Sequence, residues 1–267
     1  MKRIFPLILI SICISFIFSA CSGDRQERKT LTLFVAASLT DVIQEVTAEF
    51  EKNHSVEFIY NFAGSGALAR QLLASPKADL YLSANQRWMN EVEKGGLLAD
   101  GTRRTLLSNT LVLIANKNST WELNQPTAFA QLPFKFLAIG DPDSVPAGKY
   151  AKTWLESLKA ENGNTLWSEV QGRISPAPDV RAALAQVEGS ANVIGIVYGT
   201  DFISSDGKVR PLYKVPVKDG PKIEYSAAIL KAAAEPDLSV EFLNFLSSPK
   251  AQEIFQKYGF MTFGRAE

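Results

Sequence analysis

"VEFIYNFAGSGALARQLLAS" (Val56–Ser75) sets an apolar, β-branched and aromatic run against a segment of helix formers, with a glycine–serine–glycine turn between them. An apolar strand that turns through glycine into a helix is the repeating unit of a parallel-sheet α/β protein. The same turn is a means of presenting backbone N–H groups to an anion, because Gly64 and Gly66 let a ligand approach the main chain. The P-loop spacing is missing and no lysine follows the glycines, so any anion held here is held without a cation at the turn.

The unit recurs on both sides. "LTLFVAAS" (31–38) reads as a strand, and Val42, Val46 and Phe50 mark one helix face behind it. "ADLYLSA" (78–84) and "QRWMNEVEKGGLL" (86–98) repeat the pattern. A second set starts at "NTLVLIAN" (109–116) and runs through "FKFLAIG", "AGKYAKTWLESL", "APDVRAALAQVEG" and "NVIGIVYG". "KIEYSAAILK" (222–231) is a late strand, and the segment from Asp237 to Gly259 is a helix pair broken near Pro249. Two sets of units with a late return predict two lobes, 31–108 with 207–267 and 109–206. The crossing segments fall near Ser108–Asn109 and Gly199–Asp206.

The first thirty residues stand apart. "MKRIFPLILISICISFIFSAC" has a basic start, an apolar run from Ile4 to Phe18, and small residues Ser19 and Ala20 ahead of Cys21. This predicts a signal peptide over 1–20. Small residues before a cysteine resemble the bacterial lipobox, which makes Cys21 the lipidated N-terminus and 21–30 a polar tether. The protein is then exported and membrane-anchored through lipid, on the periplasmic or extracytoplasmic face. Cys13 goes with the signal, so the domain has no disulfide to form. Loss of Lys2 and Arg3 takes the 28 basic residues to 26 against 28 acidic ones, a net charge of −2 that suits no nucleic-acid partner.

Four strand-to-helix junctions carry candidate chemistry. "AASLTD" offers Ser38 or Thr40 as a cap with Asp41 in the first turn; "AGSGAL" offers the N–H and hydroxyl of Ser65. In "GDPDSVPAGKY", Pro146 suits the first helical position and leaves the N–H groups of Ala147 and Gly148 free; Pro178 in "SPAPDVRAAL" is expected to do the same for Val180. Each helix start carries roughly +0.5 charge, and charge-assisted hydrogen bonds contribute on the order of 1.5–3 kcal/mol each. Several converging starts would hold an anion at about −8 kcal/mol after ordering costs. A plain tight turn or a simple N-cap explains any one junction equally well. Arg70 and Arg181 lie near the junctions, as long-range attraction or as carboxylate-paired surface groups.

Enzyme readings find little support. His54 is the only histidine and sits in a turn, G-x-S-x-G is missing, and no zinc or calcium spacing occurs. The four tryptophans read as packing residues.

Taken together, "FVAASLTDVIQEV", "NFAGSGALARQ", "ADLYLSANQRWM", "GDPDSVPAGKYAK", "APDVRAALAQVE" and "GIVYGTDF" resemble the periplasmic molybdate-binding proteins of ABC importers, in order from Leu31 to Phe263. The resemblance implies an α/β, two-lobed periplasmic-binding-protein fold, each lobe a sheet flanked by helices, with the ligand cleft between them. It implies a monomeric, non-enzymatic solute-binding protein that captures molybdate, and tungstate, for a membrane permease. It needs no cofactor: the metal enters as the oxyanion, not as a bare ion. Its ligand positions carry over to Ser38, Ser65, Ala147, Val180 and Tyr198. Tyr198, by itself, reads as core or cleft packing. Gly66 stands where many relatives have serine, which removes a hydroxyl beside the site while keeping the N–H. Molybdate is a pure acceptor, so a site of donors suffices; sulfate is one too, and a sulfate-binding protein is the alternative of the same class. An extracytoplasmic hydrolase with a carboxylate pair is the alternative of another class. No candidate ligand side chain titrates near neutrality, so affinity is expected to be flat from about pH 6 to 8.

Overall fold

The structure, a computed structural model, describes residues 28–263. The signal peptide, Cys21 and most of the tether lie outside the described residues. The tether expected to reach residue 30 ends earlier, because Lys29 and Thr30 already pair with Val56 and Glu57.

Two mixed sheets, each part parallel and part antiparallel where the sequence pattern suggests parallel pairing alone, form the two lobes. The first holds β1 (Lys29–Ala36), β2 (Val56–Ala63), β3 (Leu80–Ser83), β4 (Arg104–Ser108), β10 (Glu224–Ile229) and β11 (Met261–Thr262), in the order β11-β4-β10-β3-β1-β2. The second holds β5 (Leu111–Asn116), β6 (Phe136–Gly140), β7 (Ile174–Ala177), β8 (Val193–Tyr198) and β9 (Val209–Lys214), in the order β7-β6-β8-β5-β9. The connecting helices are α1 (Thr40–Glu51), α2 (Ser65–Ala74), α3 (Gln86–Lys94), α4 (Pro146–Ser157), α5 (Leu166–Val170), α6 (Val180–Glu188) and α7 (Gly199–Ser204). Two more, α8 (Pro236–Leu246) and α9 (Pro249–Lys257), return to the first sheet.

The chain crosses between sheets twice. The first crossing, at Asn109–Thr110, is where the sequence puts it. The second lies at residues 215–223 and not at Gly199–Asp206, because "VRPLYK" forms β9 on the edge of the second sheet, paired with β5. Pro211 in β9 and Pro176 in β7 hide both strands from a sequence reading. Proline argues against a central strand, and both of these are edge strands, where a missing N–H costs no ladder bond.

The sheets are apolar because helices cover them. Leu31, Leu33 and Val35 of β1 are fully buried, and every residue of β5 and β8 is buried. Helix α1 lays Val42, Ile43, Val46 and Phe50 against the first sheet, and the Phe50 ring meets Phe242 of α8 at 5.2 Å. His54 stacks on Phe50 at 3.7 Å, which gives the lone histidine a packing role at the surface.

One buried carboxylate ties the returning segment to the first sheet. Asp79, 3% exposed, accepts the N–H of Thr32 at 2.6 Å and those of Ala234 at 2.6 Å and Glu235 at 3.3 Å. An alanine there would leave three part-buried donors without their shared acceptor. Asp79→Ala is expected to lower the unfolding free energy by on the order of 3 kcal/mol, read by urea denaturation, with ligand affinity of the folded fraction unchanged.

Candidate functional site

The ends of five strands meet between the lobes, and the helices or turns that follow them start there. After β1 the chain makes one 3-10 turn, Ala37–Leu39, before α1. No side chain caps α1, so Ser38 is not spent as a cap. After β2, Gly64 is extended and Ser65 is the first residue of α2. Pro146 opens α4, which lies so close to β6 that a Cβ on Gly148 would collide with the Gly140 carbonyl. Pro178 does not open α6; Asp179 caps it, accepting the N–H of Ala182 at 2.8 Å, and Val180 is the first helical residue. The N–H of Val180 is left over as expected, by a different device.

Ser38, Ser65, Ala147, Val180 and Tyr198 all line one small pocket of about 10 Å³, partly open to solvent. Among the described residues no lysine or arginine lines it, and Oδ1 of its one carboxylate, Asp179, accepts the Ala182 N–H. The backbone N–H groups of Ser38, Ser65, Ala147 and Val180 find no acceptor among the described residues; for the last three this is what a helix start leaves over. Ser65 Oγ accepts from Ala84 N–H at 3.0 Å, which leaves its proton to donate. Tyr198 is 1% exposed and its hydroxyl has no partner among the described residues, an orphan that burial normally forbids. Burial also pushes its phenol well above the ordinary range, with Tyr225 adding to the effect, so it stays protonated. The pocket is therefore lined chiefly by groups with protons left to donate.

The two arginines are elsewhere. Arg70 is exposed and lies over the Trp88 ring at 5.6 Å. Arg181, one residue beyond Val180, turns away to Asp41 of the other lobe at 2.6 Å and to Asp201 at 2.8 Å. Its Nε–H misses the Asp201 oxygen in direction, so that contact is charge proximity without a hydrogen bond. A wider hollow beside Asp41, Arg181 and Lys257 has its cations matched by carboxylates, Lys257 by Glu45. No cluster of three metal-ligating side chains occurs among the described residues.

A model of the bacterial extracellular solute-binding proteins matches residues 31–261. The chain belongs to that family. Relatives of this solute-binding protein include the molybdate-binding protein ModA of Escherichia coli, 37% identical over 91% of this chain and 93% of the relative. The ModA of Haemophilus influenzae is 35% identical over 86% and 89%. A solved structure, the periplasmic molybdate-binding protein of Azotobacter vinelandii, superposes with a TM-score of 0.76 at 21% identity, covering 86% of this chain and 98% of that one; it bears on the fold alone.

Three residues of this solute-binding protein acquire roles that the sequence did not offer. Gly66 does not turn its N–H to the pocket; it donates to the Ser144 carbonyl of the opposite lobe at 3.2 Å. A Cβ at Gly66 would collide with that same carbonyl and with Trp88. Glycine is thus the residue that lets the lobes touch. Tyr225 Oη lies 3.1 Å from Ser38 Oγ, behind the site. Asp201 is fully buried, and its Oδ2 accepts the Tyr198 N–H at 3.3 Å. Burial pushes Asp201 from an ordinary 3.8 up to about 7, against the pull of Arg181 and the Tyr198 N–H. A group that titrates near neutrality one hydrogen bond from Tyr198 removes the ground for expecting a flat pH response.

Gly66→Ser is expected to weaken ligand binding by about 1–3 kcal/mol through a strained closed form, with apo stability unchanged, as calorimetric titration and melting would read. The Asp201 carboxyl binds its proton more tightly folded than unfolded, so its contribution to stability is full below its ordinary pKa and is lost as pH rises through about 7. Between about pH 5 and about pH 8, melting of the apo protein should therefore fall more for the wild type than for Asp201→Asn. Parallel curves would remove the assignment.

Proposed function

We propose that this protein captures molybdate, and tungstate of nearly the same size, outside the cytoplasm and delivers it to the permease of an ABC importer. In this reading it is a monomer held to the membrane by lipid on Cys21, it catalyses nothing and it needs no cofactor. The observation that carries the reading is a small pocket lined by four free backbone N–H groups and three hydroxyls, with no lysine or arginine and a single carboxylate, Asp179, among the described residues. A fully deprotonated tetrahedral dianion is the partner such a surface satisfies: every oxygen accepts, and none brings a proton that needs an acceptor. Backbone donors at helix starts also carry the favourable end of the helix dipole. The relatives named as molybdate-binding proteins support molybdate over sulfate, which has the same hydrogen-bonding character.

Within the site, Ser38 and Ser65 each give hydroxyl and N–H, Ala147 and Val180 give N–H, and Tyr198 gives its hydroxyl. Ala147 and Val180 come from the second lobe, Ser38 and Ser65 from the first, so the anion bridges the lobes and favours the closed form.

Titration of the protein with molybdate, tungstate, sulfate and phosphate at one salt concentration is expected to give micromolar or tighter binding of the first two, about −8 kcal/mol, and far weaker binding of the others. Sulfate binding as tight as molybdate would make the named ligand wrong; turnover of a phosphate or sulfate ester would favour a hydrolase. Ser38→Ala and Ser65→Ala should each cost about 1–3 kcal/mol in affinity, and unchanged affinity in both would overturn the ligand set.

A further inference from the structure

Behind Ser38 lies a chain of polar groups that do not line the pocket. Asn109, on the first crossing segment, is 4% exposed. Its Oδ1 accepts the Thr110 N–H at 2.9 Å, which fixes which end of the amide is which. Both Nδ2 protons are then committed, one to Thr200 Oγ1 at 2.9 Å and one to Tyr225 Oη at 3.2 Å. Tyr225 is 1% exposed, and among the described residues its hydroxyl has one other hydrogen-bond partner, Ser38 Oγ at 3.1 Å. A phenol oxygen that already accepts from an amide has its proton left to give, and the atom within reach is Ser38 Oγ. Ser38, accepting from Tyr225, has its own proton left for the pocket. Ser65 reaches the same state through the Ala84 N–H, but Ser38 has no backbone donor and depends on side chains.

We propose that Asn109 and Tyr225 are positioning residues that fix the direction of the Ser38 hydroxyl, making it a donor only and so excluding oxyanions that retain a proton. The inference rests on the oxyanion-binding reading above and adds the source of its selectivity. Phosphate, with one P–O–H at neutral pH, needs an acceptor at some point of the wall. Sulfate has nearly the same size and needs none. The preference for sulfate over phosphate thus isolates hydroxyl direction from cavity size. A buried polar group left unpaired is what makes such discrimination large.

The test reverses the chain while keeping its shape. In Asn109→Asp the introduced carboxylate still accepts from Thr110 but can only accept from Tyr225; the phenol proton turns to that carboxylate, and Ser38 donates to Tyr225, presenting a lone pair to the ligand. Wild type, N109D and Y225F would be titrated with molybdate, with sulfate and inorganic phosphate as competitors. N109D is expected to weaken molybdate about tenfold or more and to narrow the sulfate-over-phosphate preference by about tenfold. Y225F, which frees the Ser38 hydroxyl to point either way, should narrow it in the same direction by a smaller factor. Loss of all three anions by one common factor in N109D, or an unchanged preference in Y225F, would overturn the proposal while leaving the functional reading intact. A wild type that binds no oxyanion would overturn both, and the wild-type titration alone tells that case apart.

Discussion

A helix must begin somewhere, and its first N–H groups have no acceptor of their own. This protein gathers three such leftovers, at Ser65, Ala147 and Val180, with the Ser38 N–H of a 3-10 turn beside them, around one small pocket between two lobes. Much of the architecture serves that convergence. The parallel strands must end on the same side for the helix starts to meet, and the two sheets must face each other across the crossings for the two sets to share one point. The cost of leaving backbone donors unpaired away from water is a few kcal/mol each, and an anion that fills the space removes it. With the proposed ligand set, binding and closure are one event, because the anion would take donors from both lobes.

The contacts that hold the lobes together are of two kinds. Gly66 meets Ser144 through main chain, where no protonation changes the bond. Arg181 meets Asp41 through charge, at a partly exposed position where solvent screens the pair, and leans on the buried Asp201 behind Tyr198. The second kind connects the state of the closure to a group whose proton is held near neutrality.

The architecture was legible in the sequence where local chemistry and fold agree: apolar strands followed by amphipathic helices, with glycine, proline or serine at the junctions. The four helix starts could be found from those turns alone. Tyr198 could not, since a tyrosine ending the buried strand "VIGIVY" looks like any core aromatic until its hydroxyl is seen to lack a partner. Asn109, Tyr225 and Asp201 were out of reach for another reason. Their roles depend on neighbours 91 to 187 residues away, or on burial that an Asp after a strand does not announce. The edge strands β7 and β9 were hidden by proline, and with β9 went the true position of the second crossing. Gly66 looked like the loss of a hydroxyl because sequence shows what a side chain lacks and not what would stand in its place.

A wall of neutral donors also determines how the anion arrives. Among the described residues no lysine or arginine lines the space, and the chain from Cys21 onward carries a net charge of −2, so a dianion in solution meets no attractive field that reaches beyond contact distance. Dipoles at helix starts act within the first turn and fade quickly. Encounter is then a matter of diffusion and of how often the lobes stand open, and it should vary little with ionic strength. With the proposed ligand set, selectivity would work by residence: anions enter without preference, and those that cannot satisfy every donor leave again.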